Sequence, residues 1–480
     1  MEFIPEIGDP ELNIYIHLET GILLLFLAMM VWTQAERASV PGYYSRKPRQ
    51  QMIGLSIVFA ALSVGLGSLL YSVSPLLGIA LAAGFTLSLI HPVNALCFFV
   101  HLLFLRPWEI LTTSPVLLAL PRLLAAVSVI SWLLYPGKCG KPTVRTTHAL
   151  MLFLGFSLWL FLTTFRAPDI AVAQMDWFNT FFKSVIVFLM CLFFIESEMS
   201  VREFELTLVL SALGLMGIGL FQFLTTPTLS GRLDAFGAFG DPNDLASIII
   251  MALPLALVPV FNKRPGLARR ICGVAFAGFS VLVIWFTNSR GAILSLLVQV
   301  LAFLGVRSSR RSWLPMAFLG GLVGLGFLVV YKAIPRAPQE MEASQESRIT
   351  YWKAAVNMTL HHPIWGVGFD QYPDNYVTYA SGVKYEWGKR TAHSSWLLAF
   401  AESGLIGGLL YVAFVLTVMR TAWRNRETWP AQFFALAGYG VAMTFLSHTY
   451  GIYIPVLAGL ILASNSIKER AAILAQPHAI

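Results

Sequence analysis

Long apolar runs separated by short polar connections dominate the chain. Runs near 20 residues have the length that crosses a hydrocarbon core as a helix. We predict about 12–15 such helices. The predicted spans are 14–33, 52–71, 75–91, 93–105, 114–135, 148–165, 179–196, 205–224, 246–262, 271–286, 291–306, 313–331, 395–419, 430–449 and 452–464. Two boundaries stay open, because His91-Pro92 either separates two helices or kinks one, and Gly451 separates two apolar runs.

The pattern predicts an all-α polytopic membrane protein in three segments. Residues 1–331 form an N-terminal transmembrane bundle, 332–394 a large polar loop that is partly helical, and 395–480 C-terminal membrane helices with a cytoplasmic tail. The first run is preceded by acidic residues and has no small-residue cleavage site. It is therefore predicted to be a membrane helix and not a removable signal peptide.

Composition excludes a soluble domain, since 57% of the 480 residues are hydrophobic and only 12% are charged, against about a quarter charged in soluble proteins. The net charge of +8 reflects topology, because the basic residues cluster in short loops that mark the cytoplasmic side. We therefore expect no nucleic-acid partner. The same alternation places the polar loop outside, together with connections at 106–113, 166–178 and 225–245.

The connection 225–245 and a further outward turn at Asn288–Arg290 each carry an arginine beside a predicted helix start. Arg232 precedes a run in which Asp241, Asn243 or Asp244 can cap the next helix, and an outward Arg at a helix start suits an anionic ligand. Arg290 lies in a helical first turn that Asn288 or Ser289 can cap. A cation there costs roughly 0.3–1 kcal/mol, which favours a nearby anion; the alternative is an arginine that snorkels to the interface.

The polar loop contains an amphipathic helix and an aromatic run. Helical spacing relates Arg348, Ile349, Trp352, Val356, Thr359 and Leu360, and the helix is predicted to end at His362-Pro363. Its apolar face is expected on the membrane surface or against the bundle. The aromatic run suits sugar binding, although aromatic residues are also common at membrane interfaces; it comprises Phe369, Tyr372, Tyr376, Tyr379, Tyr385 and Trp387.

Two ionisable residues stand where the chain re-enters the membrane. His393 lies at the boundary and Glu402 about two turns further in. Ionisable residues within membrane segments indicate function, and histidine exchanges protons near neutral pH. The alternative for a single histidine is a structural role.

Taken together, these residues resemble the O-antigen ligase and polymerase superfamily of bacterial membrane glycosyltransferases. The resemblance covers roughly 205–464. It rests on Arg232 with Pro242-Asn243, Ser289-Arg290-Gly291, Arg348 with Trp352, Pro363, Gly366, Gly368, His393 and Glu402-x-Gly404. One departure is Ser394, where family members often carry asparagine after the histidine.

The resemblance implies a GT-C-like enzyme of the bacterial inner membrane whose active site faces the periplasm. Its donor would be a glycan linked to undecaprenyl pyrophosphate, embedded among membrane lipids, and transfer would invert the anomeric carbon. The acceptor would be a hydroxyl of lipid A core, as in a ligase, of a glycan, as in a polymerase, or of a protein. A flippase for the same lipid-linked glycan, or a structural partner in an export complex, is the competing interpretation.

The resemblance also implies roles for individual residues. Arg232, Arg290 and Arg348 would bind the pyrophosphate, and His393 would take the acceptor's proton or orient the acceptor. Arg290 and His393 are the predicted catalytic residues, supported by Asn243, Asp241, Glu402 and Trp352. The acids of 332–394 show no DxD spacing, so no metal or other cofactor is expected; Asp241 or Asp244 as a metal ligand is the alternative.

Overall fold

The computed structural model describes residues 10–39, 48–70, 73–110, 115–135, 140–225, 231–233, 241–261, 266–307, 338–380 and 390–475. These residues form helices and connections, with no strand among them. The helices are α1 Pro10–Ala38, α2 Pro48–Leu69, α3 Pro75–Ser88, α4 Pro92–Leu105, α5 Pro107–Ile110, α6 Pro115–Leu134, α7 Val144–Thr163, α8 Ile170–Asp176, α9 Phe182–Phe194, α10 Glu198–Thr225, α11 Pro242–Leu257, α12 Leu267–Thr287, α13 Arg290–Arg307, α14 Pro338–His361, α15 Tyr372–Tyr379, α16 Ser395–Arg424, α17 Pro430–Ala442 and α18 Tyr453–Leu474.

The helices confirm an all-α, multi-pass membrane protein. Within the described ranges, eight are long and apolar enough to cross a membrane: Ile14–Ala38, Leu117–Leu134, Val144–Arg166, Ile170–Phe194, Glu198–Thr225, Pro242–Phe261, Leu267–Thr287 and Ser395–Arg424. Shorter apolar helices cover Gly54–Leu69, Pro75–Ser88 and Arg290–Val306. The predicted span 313–331 lies outside the described residues.

One compact unit comprises Met1–Gly140 and Phe194–Asp241. In this unit, α4 packs against α3, α6 and α10, and α1 packs against α3 and α10. A buried ion pair joins α1 to α10, because Arg37 Nε donates to Glu203 Oε1 at 2.9 Å and its guanidinium also reaches Ser200 Oγ at 3.1 Å. Two charges in an apolar bundle tolerate burial only when paired in this way.

The second compact unit comprises Lys141–Phe193 and Pro242–Ile480. Here α17 packs against α11 and α13, and α16 packs against α7, α14 and α17. The helix α14 of the polar loop therefore lies directly on a membrane helix, and α15 packs against α14. The two helices confirm that the loop is partly helical. The unit contains all the predicted site residues except Arg232 and Asp241.

A local hydrogen bond resolves the open boundary at His91-Pro92. His91 has an extended backbone and its Nδ1 accepts from Val93 N at 3.3 Å, so it caps α4, and residues 75–105 form two helices.

The predicted helix 430–449 is wrong beyond Ala442, where α17 ends. The next residues bond to the start of α16 instead of continuing a helix: Ser395 N donates to Met443 O at 2.9 Å, and Ser395 Oγ donates to Leu446 O at 2.6 Å. We call residues 443–452, between α17 and α18, the clasp segment.

Candidate functional site

A cavity lies where α11 and α13 begin, beside α14. Its empty volume is about 270 Å³, which includes open solvent. The wall consists of Asn243, Ser247, Ser289, Gly291, Ala292, Arg348, Ala442, Phe445 and Leu446. The structure thus brings two predicted site residues, Asn243 and Arg348, to one cavity. Arg290 stands between two further wall residues in the chain.

A tight turn between α12 and α13 builds one side of the cavity. Asn288 ends α12 in the left-handed region, with φ of 52°, a conformation that asparagine tolerates better than most residues. The buried Ser289 then accepts from Ala292 N at 3.3 Å, which confirms its predicted capping role. Ser289 Oγ also donates to Asn243 Oδ1 at 2.8 Å. This bond ties the first turns of α11 and α13 together.

Three elements carry positive charge at the cavity or next to it in the chain. The N-termini of α11 and α13 each carry partial positive charge on their free N–H groups. Arg290 is the first residue of α13, and half-buried Arg348 comes from α14. Guanidinium groups and helix N-termini both bind phosphate in proteins. The cavity is therefore chemically suited to an anionic group.

One face of α14 runs from the cavity to His393. Arg348, Tyr351 and Trp352 are three and four residues apart, so they share that face. The Trp352 ring lies 6.4 Å from Phe445 of the cavity wall, and the Tyr351 ring lies 5.8 Å from the His393 ring. Trp352 Nε1 is buried with no hydrogen-bond partner among the described residues.

The predicted helix 348–361 is confirmed, but its packed face is not the predicted apolar stripe. Ile349, Val356 and Leu360 are 52%, 45% and 71% exposed. The residues that pack beneath α14 are Tyr351, Ala354, Ala355 and Met358. The apolar stripe is predicted to lie on the membrane surface or against the bundle. Ile349, Val356 and Leu360 do not pack against the bundle.

His393 lies at the junction of the polar loop and α16. It is half-buried, with a left-handed φ of 44°. Ser394 follows in an extended conformation and its Oγ accepts from Leu397 N at 3.5 Å, so it caps α16. The serine at the position where relatives often carry asparagine thus has a structural role. His393 is not part of the cavity wall and contacts the Tyr351 side of α14.

Glu402 is turned toward the polar loop. Its side chain is buried, and its two carboxylate oxygens accept from Tyr372 N at 2.8 Å, from Asp370 N at 3.1 Å and from the Tyr450 hydroxyl. The carboxylate therefore holds the start of α15 and the clasp segment to α16. These contacts are structural, and the predicted supporting role of Glu402 in the site stays a prediction.

Three glycines allow the loop backbone to enter α16. The helix is interrupted at Gly404, with φ of 67°. The carbonyls of Ala401 and Glu402 accept from Val367 N at 2.9 Å and Gly368 N at 3.1 Å, and Leu405 N donates to Pro363 O at 2.7 Å. A Cβ at Gly366 or Gly404 would collide with the facing backbone. We call this arrangement the loop joint.

The aromatic run is mostly packing core and not a surface for sugars. Phe369, Tyr372 and Tyr376 are almost fully buried, and the Tyr372 hydroxyl donates to Tyr351 O at 2.6 Å. Tyr379 is half-buried and its hydroxyl lies 2.7 Å from His362 Nε2. Tyr385 and Trp387 lie outside the described residues.

Sequence reasoning missed a second histidine beside the cavity. His448, in the clasp segment, has Nε2 at 2.9 Å from Asp244 Oδ1 and Nδ1 at 2.6 Å from the Tyr439 hydroxyl. The polar run Ser447–Tyr450 inside an apolar stretch is the signal that could have identified it, because an ionisable residue there indicates function.

Two predicted site residues belong to the first compact unit. Arg232 is half-buried in the short fragment 231–233, and Asp241 is half-buried directly before α11. Their participation stays a prediction. Among the residues that the structure describes, no group of three or more His, Cys, Asp or Glu side chains is placed to hold a metal ion.

A comparison with known families matches residues 275–412 to the family described as O-Antigen ligase. The match lies inside the 205–464 range of the sequence resemblance and confirms it there. It includes Arg290, Arg348, Trp352, His393 and Glu402. A comparison with curated proteins finds no match.

Proposed function

We propose that this chain is a ligase-type glycosyltransferase. The proposal is supported by the match of residues 275–412 to the O-antigen ligase family, within the O-antigen ligase and polymerase superfamily. The enzyme moves a glycan from undecaprenyl pyrophosphate to a hydroxyl of lipid A core. The reaction takes place at the periplasmic face of the bacterial inner membrane, needs no metal and inverts the anomeric carbon.

The observation that carries the proposal is the cavity formed by Arg348, Asn243 and Ser289 at the start of two helices. Breaking the bond between the anomeric carbon and the pyrophosphate leaves growing negative charge on a phosphate oxygen. Preorganised donors that meet this charge lower the barrier, and each is worth a factor of about 100–1,000 in rate. Arg348 and Arg290 take this role, and Trp352 supports Arg348 from the same face of α14.

The remaining predicted residues are not part of the cavity wall, and each has a proposed role. Arg232 is proposed to bind the same pyrophosphate, and Asp241 to support it, from the connection before α11. His393, at the boundary of the polar loop, contacts the acceptor. Glu402 positions the loop through the backbone of Asp370 and Tyr372. The loop joint favours an enzyme over a flippase, because it fixes the polar loop against α16 through three backbone hydrogen bonds.

The test is reconstitution of the purified full chain in lipid vesicles with an undecaprenyl-pyrophosphate-linked oligosaccharide. Lipid A core, a lipid-linked repeat unit and an acceptor protein are offered separately, each with and without EDTA. We expect glycosylation of lipid A core that EDTA does not abolish.

Each other result has a defined meaning. Transfer to the repeat unit or to the protein would replace the ligase by a polymerase or a protein O-oligosaccharyltransferase of the same superfamily. Transfer to none, with movement of the donor between leaflets, would replace the enzyme by a flippase.

A further inference from the structure

We propose that Asp244 is the group that takes the proton from the acceptor hydroxyl, and that His448 is its positioning residue. The inference rests on the proposed function and assigns a step within it. Neither residue lies in the matched segment 275–412.

Asp244 is a chain neighbour of two cavity-wall residues and is not itself part of the wall. It lies in the first turn of α11, directly after Asn243 and three residues before Ser247, and both of these neighbours are wall residues. Its side chain keeps 24% of its surface exposed. His448 follows the wall residues Phe445 and Leu446 in the clasp segment and is 8% exposed. A nearly buried histidine thus holds a partly exposed carboxylate in the helix turn that contributes Asn243 and Ser247 to the cavity wall.

The hydrogen-bond chain determines which ring nitrogen carries the hydrogen. An ionised carboxylate only accepts hydrogen bonds, so His448 Nε2 carries a hydrogen and donates to Asp244 Oδ1 at 2.9 Å. The Tyr439 hydroxyl, which can donate or accept, lies 2.6 Å from His448 Nδ1. A carboxylate has about four lone-pair sites, so the bond from His448 leaves Asp244 capacity for an acceptor hydroxyl.

The histidine itself is held on several sides. His448 N donates to Ser395 Oγ at 2.9 Å, and Thr449 Oγ1 donates to Ser395 O at 2.8 Å. The imidazole also packs against the Tyr453 ring at 4.7 Å. Since Ser395 begins α16 two residues after His393, the clasp segment couples the positions of both histidines. Locked side chains of this kind are what a catalytic carboxylate needs for orientation.

The proposed step is balanced without a further reactant. The acceptor oxygen forms the new bond to the anomeric carbon while the bond from that carbon to the pyrophosphate oxygen breaks. The electron pair of the broken bond stays on the pyrophosphate, whose charge Arg348 and Arg290 meet. The acceptor's proton moves to the carboxylate of Asp244. His393, outside the cavity wall beside Tyr351, then orients the acceptor.

The test compares Asp244→Asn, Asp244→Glu, His448→Gln and His448→Phe in the reconstituted full chain, using the acceptor that the wild type glycosylates. Asp374→Asn and His361→Gln, both exposed in the polar loop, are matched controls. We expect Asp244→Asn to lower kcat at least about 100-fold, in the range of general-base catalysis, with KM for the lipid-linked donor changed less than about threefold. Asp244→Glu should retain part of the rate.

The two histidine variants separate positioning from packing. The glutamine amide can donate to the carboxylate in place of Nε2–H, whereas phenylalanine only fills the space. His448→Gln should therefore transfer at least about tenfold faster than His448→Phe. Equal rates for these two variants at equal melting temperatures would overturn the positioning role.

Two other outcomes decide the remaining questions. Unchanged kcat in Asp244→Asn, or a loss of donor binding equal to its loss of rate, would overturn the proton-transfer role while leaving the proposed function intact. A wild type that transfers glycan to none of the acceptors would overturn the proposed function itself.

Discussion

At the scale of single residues, hydrogen bonds to neighbouring residues fix side chains of the cavity wall. Ser289 is committed to Asn243 and to the Ala292 amide, so it shapes the wall and is not a nucleophile. Arg348 enters the same wall from the polar loop. Replacing Arg348 therefore tests its charge without changing the turn that Ser289 stabilises.

Replacing Arg348 by alanine is expected to lower the transfer rate about 100-fold or more, because the pyrophosphate loses a charged donor in a low-dielectric site. Arg348→Lys should recover only part of the rate, since lysine cannot bind phosphate bidentately. Initial rates of glycan transfer measure both. Arg426→Ala, at a Trp423 ring away from the cavity, is the control, and equal rates for Arg348→Ala and this control would contradict the assignment.

Replacing Glu402 by glutamine is expected to destabilise the polar loop by about 1–3 kcal/mol, because one buried acceptor becomes a donor that faces a backbone N–H. Tyr450→Phe removes only one of the three donors to Glu402 and should have a smaller effect. Thermal unfolding and limited proteolysis of the loop measure the difference. An unchanged loop in Glu402→Gln would show that the carboxylate does not hold it.

At the scale of elements, the loop joint explains why glycines punctuate an otherwise apolar region. The interruption of α16 at Gly404 frees carbonyls that would bond within the helix, and the loop backbone supplies the donors. Buried backbone groups need such partners. The Trp159 indole satisfies a further carbonyl, that of Ser403, at 2.8 Å.

Gly404→Ala is expected to lower the melting temperature strongly, because a Cβ would meet the Ile364 carbonyl and the φ of 67° disfavours it. Gly278→Ala, in α12 with open space around the added Cβ, is the matched control and should be neutral or stabilising by up to about 1 kcal/mol. Equal melting temperatures for the two variants would contradict the loop joint.

The end of α14 is expected to weaken in mild acid. Burial lowers the pKa of His362, and the positive charges of Arg166 and His361 lower it further. Between the ordinary histidine value and this lower pKa, the folded loop binds fewer protons than the unfolded chain, so its free energy of unfolding falls as the pH falls.

Comparison of wild type with His362→Gln measures this effect. The difference in melting temperature between them should change from about pH 7.5 to about pH 5, with the wild type losing more on acidification. A constant difference would contradict the effect.

At the scale of the whole molecule, each compact unit combines segments from separate parts of the chain. The predicted division into 1–331, 332–394 and 395–480 stays a prediction, as does the side of the membrane on which the polar loop lies. The 30-residue α16 is long enough to cross a bilayer. We predict that it separates the polar loop from the basic residues that follow it.

The predicted sidedness can be measured with single cysteines in a cysteine-free chain. Asp374→Cys, in the polar loop, should react with a membrane-impermeant maleimide in cells whose outer membrane is permeabilised. Glu427→Cys, beside the basic end of α16, should react only after lysis, because basic loops stay in the cytoplasm. Both residues are exposed, so a reversed labelling pattern would place the polar loop in the cytoplasm.

Sequence alone determined most of the membrane helices and the helix 348–361, and it predicted roles for Arg290, Arg348 and His393 that stay predictions. These depend on local properties: apolar length, helical spacing and a charge at a helix end. Tertiary structure decided what depends on contacts between distant segments. In the structure, α17 ends at Ala442, and Glu402 accepts hydrogen bonds from the loop backbone. Tyr372 and Tyr376 are buried, and His448 is hydrogen-bonded to Asp244. Hydrogen bonds across long separations leave no periodic trace in the sequence.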